Sequence, residues 1–137
     1  MKESTPDSPL PFPTVAIIGS GFSGLCMAIR LRKAGIDSFT IFEKDSRVGG
    51  TWRDNTYPGV ACDVPSHLYS YSFEPKTDWS RVFPPQPEIL SYIEHCVDKY
   101  GLRPHIRFNC EVESARFDEG RGLWNIKTRD GRESAAH

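Results

Sequence analysis

Apolar and polar residues along this chain change their period several times, and each change predicts an element. Val15 to Ile18 is a short, mostly β-branched run closed by Gly19, the pattern of a strand buried on both faces. From Phe22 the apolar positions Leu25, Ala28, Ile29 and Leu31 share one face of a helix. Arg30, Arg32 and Lys33 gather at its far end, where cations complement the helix dipole, and Gly35 stops it. Ser38 to Phe42 returns to a strand pattern. Beyond Trp52 neither period is sustained: residues 53–86 are rich in aromatic, proline and turn residues. A loop of that length is functional or disordered as a rule. Its rings, Tyr57, Tyr69, Tyr71, Phe73, Trp79 and Phe83, together with Trp52, are too apolar to be left in water, so an ordered excursion lining a cofactor is expected, with short helical turns at 65–72. Ile89, Ile93, Val97 and Tyr100 then mark a helix from Pro87 to Tyr100, with Gly101 after it. Ile106 to Cys110 reads as a short parallel strand, and Glu111 to Phe117 with Leu123 to Thr128 as a hairpin around Asp118–Gly122. Residues 1–13 form a polar, proline-rich leader, and 129–137 a polar tail with no core pattern.

Strand, glycine turn, helix and second strand in this order predict an α/β fold: a Rossmann-like dinucleotide-binding domain over 14–128, with a central parallel sheet and an added β-hairpin. Gly19, Gly21 and Gly24 stand where a Gly-x-Gly-x-x-Gly motif has physical meaning, directly after a strand and opening a helix. The first permits the turn, the second lets backbone approach a pyrophosphate, and the third lets helix and strand pack closely. Unpaired N–H groups and the positive dipole end would then hold a diphosphate without a lysine. Glu43, nineteen residues after Gly24 at the end of the second strand, is placed to accept hydrogen bonds from both hydroxyls of an adenosine ribose. It would repel a 2′-phosphate, which favours FAD or NAD over NADP in this pocket. The competing reading is that Glu43 merely caps a strand at the surface. The Gly49-Gly50 pair separates FAD from NAD, because simple NAD dehydrogenases need no close backbone approach here, whereas a cofactor stretched past its pyrophosphate does.

Composition removes other classes. With 137 residues, 38% of them hydrophobic, and a net charge of −1, the chain has the make-up of about one globular domain and no basic stripe for nucleic acid. Cys26, Cys62, Cys96 and Cys110 form no C-x-x-C pair, which argues against zinc or a disulfide framework and suits a reducing cytoplasm. The four histidines are not at ligand spacing, so no metal site is expected; His95 reads as a solvated or packed residue, and Cys62 as structural. No run approaches a membrane span, and the leader lacks the features of a signal peptide.

The segments GSGFSG, Glu43, RVGGTW, NTYPGVACDVPSHLYSYSF and DWSRVFPPQPEI resemble the amino-terminal part of class B flavoprotein monooxygenases, and among these most of all the Baeyer–Villiger monooxygenases. The likeness runs from about Thr14 to Thr128, and its second half is more specific than its glycines. It implies a flavoenzyme in which NADPH reduces FAD, O2 adds to the flavin C4a, and the resulting peroxyflavin oxygenates a ketone or a soft heteroatom such as sulfur or nitrogen. It also implies site roles. Gly19, Gly21, Phe22, Ser23 and Gly24 would surround the pyrophosphate, Glu43 and Lys44 the adenosine ribose, and Gly50, Thr51, Trp52 and Asp54 the side toward the flavin. Asp63 would contact the flavin region and help position a catalytic arginine supplied by a later part of the family's chain. Tyr69 would line the FAD pocket, Val112 would touch the adenine through its backbone, and Ala61-Cys62-Asp63 matches a segment approaching NADP. Many relatives carry arginine before the Cys-Asp pair, and Ala61 cannot supply that charge.

Asp63 also invites a reading from its neighbours alone: a carboxylate between Cys62 and Val64 is expected to be paired or perturbed. Trp52 and Tyr69 can equally be ordinary core rings. The family's second glycine motif for NADPH, and a signature of Phe, Gly, His and Trp between the two motifs, are not found. The expectation is therefore an incomplete FAD-binding domain, a truncated or partial product unable to complete the NADPH-dependent cycle alone. Two alternatives stay open: a non-catalytic FAD-binding remnant or interaction module, and another flavoprotein with two dinucleotide domains. A disulfide reductase of that kind would need a cysteine pair soon after Gly50, where only Cys62 stands.

Overall fold

A computed structural model describes residues 14–137; the leader expected over 1–13 lies outside the described residues. Strand β1 (Val15–Ile18) turns at Gly19 into helix α1 (Phe22–Lys33), which crosses over to β2 (Phe39–Phe42). Gly19 takes φ +94°, open to glycine at little cost. Gly24 is required by space: a Cβ there would lie 2.1 Å from the Gly19 carbonyl oxygen and 3.2 Å from Ile17 Cγ2, so only hydrogen lets α1 lie this close to β1. The glycine pair at 49 and 50 leads into the one-turn helix α2 (Thr51–Asp54), and α3 (Gln86–Lys99) follows the long excursion. The short strand β3 (Ile106–Arg107) joins the sheet beside β2.

Within this sheet β2 is central and parallel to both neighbours, with Ile17 opposite Ile41 and Ile41 opposite Ile106. Side chains alternate along β2: Phe39 and Ile41 join a core with Leu25 and Ile29 of α1 and Ile89, Ile93 and Val97 of α3, while Phe42 enters a second cluster with Cys110, Ile126 and Ala136. Ladder pairing of β3 ends at Arg107, earlier than the expected Cys110, yet Cys110 N–H still donates to Glu43 O at 2.8 Å and Asn109 N–H to Asp45 O at 3.0 Å. β1 lies at the edge of the sheet among the described residues, and its burial is incomplete: Ile17 and Ala16 pack on opposite clusters, but Ile18 at its end is 63% exposed.

The expected hairpin is a three-stranded antiparallel meander of β4 (Val112–Asp118), β5 (Leu123–Thr128) and β6 (Glu133–Ala136). The ending read as a polar tail supplies β6. Glu133, Ser134, Ala135 and Ala136 offer no apolar alternation to read, because the strand is held by its ladder to β5 and by one buried methyl, that of Ala136. His137 N–H then donates to Thr14 O at 2.9 Å, tying β6 to the start of β1.

The excursion over 53–86 is ordered by its own backbone bonds, Cys62 N–H to Pro84 O at 2.9 Å and Gln86 N–H to Val60 O at 3.1 Å, and by ring packing. Phe22 of α1 meets Tyr69 and Tyr71 edge-on, at 5.2 and 5.3 Å between centroids. Tyr71 donates its hydroxyl to Phe22 O, and Tyr92 of α3 donates to Glu74 O, each at 2.7 Å. Glu74 in turn accepts from Lys99 and from the Tyr100 hydroxyl, both at 2.8 Å, and lies 3.3 Å from the exposed His95 ring. The bonds from Lys99, Tyr100 and His95 outweigh its partial desolvation and hold the carboxyl at about 2. Among the described residues no helix is long and apolar enough to cross a membrane.

Gly24→Ala is expected to cost about 1–3 kcal/mol or more through overpacking against backbone that cannot yield. Gly120→Ala, whose Cβ would come no nearer than 3.4 Å to the Asp118 side chain, should change stability by less than about 0.5 kcal/mol. Urea unfolding of the two variants checks the contrast.

Candidate nucleotide-binding site

The carboxyl ends of β1 and β2 open onto a cleft of about 300 Å³ lined by residues from the glycine turn, the end of β2, α2 and the start of β4. On one wall α1 begins at Gly21 with no side-chain cap and no acid in its first turn, so its leading N–H groups and positive dipole end are free to meet an anion. Opposite stands Gly50. A Cβ on it would reach 3.3 Å from Gly21 Cα, so the two loops approach through their bare backbones. The other member of the pair is fixed by packing: Gly49 has φ +128°, and a Cβ would come within 2.6 Å of Leu90 Cδ1 on α3.

Glu43 directly follows β2 as a buried carboxylate, only 3% exposed, which excludes the surface-cap reading. One oxygen accepts from Ser20 N–H at 3.0 Å and from the Ser20 hydroxyl; the other accepts from Asp45 N–H at 2.9 Å and lies 3.1 Å from Arg53 Nη1. Burial by itself would raise the Glu43 pKa, but the Ser20 hydroxyl, the two backbone N–H groups and the Arg53 charge outweigh it and hold the group below the ordinary carboxylate value. Arg53 shows the mirror case. Burial would lower its pKa, and its bond to Asp54 with the charges of Glu43, Asp54 and Asp45 reverses that.

Of the residues assigned from sequence, Gly19, Gly21, Glu43, Lys44, Gly50, Asp54 and Val112 line this cleft together. Gly24 shapes it from below, and Ser23 is exposed on the first turn of α1. Phe22 belongs to the ring cluster, and Thr51 opens α2 on the surface. Trp52 is half-buried and donates its indole N–H to the Tyr69 hydroxyl at 3.0 Å; burial, the largest influence on Tyr69, raises that phenol's pKa. Ala61 lines a separate depression of about 270 Å³ with Tyr57, Arg81 and Pro87. Cys62 is buried, its sulfur accepting from Val64 N–H at 3.4 Å. Asp63 is exposed, with its Oδ1 4.0 Å from the Cys62 sulfur: on this bend Cys62 turns inward and the next side chain outward. Two site residues were not recognised in the sequence. Ser20 is hidden between two motif glycines, and Arg53 stands between Trp52 and Asp54; its signal is a cation in an acid-rich stretch.

Residues 17–84 match the family model of the NAD(P)-binding Rossmann-like domain. A Baeyer-Villiger monooxygenase of Streptomyces coelicolor is 55% identical over 114 residues, covering 83% of this chain and 22% of that protein. One from Pseudomonas aeruginosa is 54% identical over 123 residues, covering 90% of this chain and 23% of that protein. Over most of its length the chain is similar to the amino-terminal portion of Baeyer–Villiger monooxygenases. Solved structures agree. An oxidized steroid monooxygenase bound to NADP superposes with a TM-score of 0.84 at 42% identity, over 90% of this chain and 24% of that one. An open crystal structure of cyclohexanone monooxygenase gives 0.84 at 36% identity, over 90% of this chain and 25% of that one. The chain thus spans about a quarter of the length of the Baeyer–Villiger monooxygenases it matches.

Because the folded Glu43 pKa lies below the ordinary carboxylate value, the stability this charge contributes is present above about pH 4.5 and lost as pH falls through the folded value. Glu43→Gln is expected to cost about 1–3 kcal/mol at pH 7. The gap to the unsubstituted protein should shrink steadily below pH 4.5, as measured by denaturant unfolding across pH.

Proposed function

We propose that the cleft holds the adenosine diphosphate portion of FAD, and that this chain is the FAD-binding part of an NADPH- and O2-dependent monooxygenase acting on a small ketone or heteroatom substrate. The observation that carries the reading is the buried, ionised Glu43 facing an uncapped helix N-terminus across one cleft. A ribose diphosphate needs a hydroxyl acceptor beside an anion-binding end, and this geometry offers both. The α1 N–H groups would bind the pyrophosphate, Gly21 and Gly50 would let it approach backbone, and Glu43 would accept the ribose hydroxyls by exchanging the Ser20 hydroxyl contact. Val112 borders the end where an adenine would lie. Bound FAD would supply electron transfer from NADPH and the activation of O2.

Trp52, Tyr69 and Asp63 carry the reading toward the flavin. The Trp52 to Tyr69 hydrogen bond fixes two rings beside α2, the direction in which a flavin would extend. Asp63, exposed and in no salt bridge among the described residues, is free to take the cation that the family resemblance assigns to it. Ala61 itself brings no charge to the approach to the Cys-Asp pair, and Arg81 is the cation in the depression that it lines.

FAD titrated into the chain should quench flavin fluorescence on binding, and Glu43→Gln should weaken that binding about tenfold, the worth of one charge-assisted hydrogen bond. NADPH should compete poorly, since Glu43 meets its 2′-phosphate with like charge. Equal affinity for NADPH and FAD, or an unchanged FAD affinity in the variant, would overturn the proposal.

A further inference from the structure

Arg53 lies in the wall of the cleft where a diphosphate would be expected to find a cation, yet every side of its guanidinium is already engaged. Nη1 lies 3.1 Å from Glu43 Oε1 and donates to Arg47 O at 2.7 Å. Nη2 lies 2.8 Å from Asp45 Oδ2 and 2.9 Å from Asp54 Oδ1, and Nε donates to that same Asp54 oxygen at 2.9 Å. The side chain is 12% exposed. One cation thus faces three carboxylates, and the quartet keeps a net negative charge, which makes it a poor anchor for phosphate. The planar fork suits this task, since it can hold several acceptors in fixed directions where an ammonium is a single point charge.

We infer that Arg53 is a positioning residue for ribose recognition, fixing the Glu43 carboxylate against α2 so that the adenosine 2′-hydroxyl meets an oriented acceptor. The inference rests on the proposed FAD reading of the cleft. Without Arg53, Glu43 keeps its Ser20 and Asp45 donors but loses its tie to α2, and the segment bearing Arg47, Gly49 and Gly50 loses its clamp. The consequence is specific: the loss falls on the ribose hydroxyl and not evenly on the whole nucleotide.

The test is the ratio of dissociation constants for FAD and its 2′-deoxyadenosine analogue, measured by flavin fluorescence on the full chain. The unsubstituted chain should prefer FAD about tenfold, Glu43→Gln should bring the ratio near one, and Arg53→Met should lower it below about three. Arg53→Lys keeps a charge among the acids, so it guards against a folding failure of the methionine variant; it should give an intermediate ratio. A folded Arg53 variant that binds both ligands more weakly while keeping the full ratio would overturn the inference and mark Arg53 as a phosphate anchor or a purely structural residue. No preference in the unsubstituted chain would instead overturn the ribose role of Glu43, and this inference with it.

Discussion

A carboxylate withdrawn from water at the end of a central strand has to be surrounded by donors, and much of this molecule's site follows from that need. Removing one partner from a buried charge costs more than the pair is worth, so the partners come as a set. Ser20 serves Glu43 from the glycine turn, Asp45 N–H from the next loop and Arg53 from α2. These donors come from three separate segments, so the ionised group draws together the loops that form the cleft. The turn at Gly19 and the absent side chain at Gly24 bring Ser20 within reach, because they let α1 start almost on top of β1.

The elements with a strong local signature were legible. The turn glycines and the buried faces of α1 and α3 occur where the periodicity places them, and Glu43 directly follows β2 as the spacing requires. Legibility failed where a neighbour distant in sequence decides the outcome. Ser134 to Ala136 carry no hydrophobic pattern, and only the ladder to β5 makes them a strand. Asp63 was judged by its sequence neighbours, which cannot say which way a bend turns a side chain. Ile18 is apolar enough for a core, but exposure depends on what flanks the strand.

The Gly49-Gly50 pair shows that one motif can answer two demands. Its second glycine meets Gly21 across the cleft, as expected of backbone that must come close to something else. The first is needed because Leu90 of α3 occupies the place of its side chain. Sequence alone presents the pair as a ligand feature, whereas half of it is a packing feature: Gly49 seats the loop on a helix that begins at Gln86. Arg53 was overlooked for a related reason: a cation beside three acids reads as solvated surface until the backbone folds the acids around it.

The bond between Thr14 and His137 joins positions 123 residues apart. Contacts of that separation form late, since a long loop must close before they return any energy. During synthesis the start of β1 emerges first, and the partner that ties it to the meander emerges more than a hundred residues afterwards. The parallel sheet can gather around β2 in the meantime. The second cluster of Phe42, Cys110, Ile126 and Ala136 cannot close until β6 arrives, so one face of the sheet must stay open until Ala136 has been added.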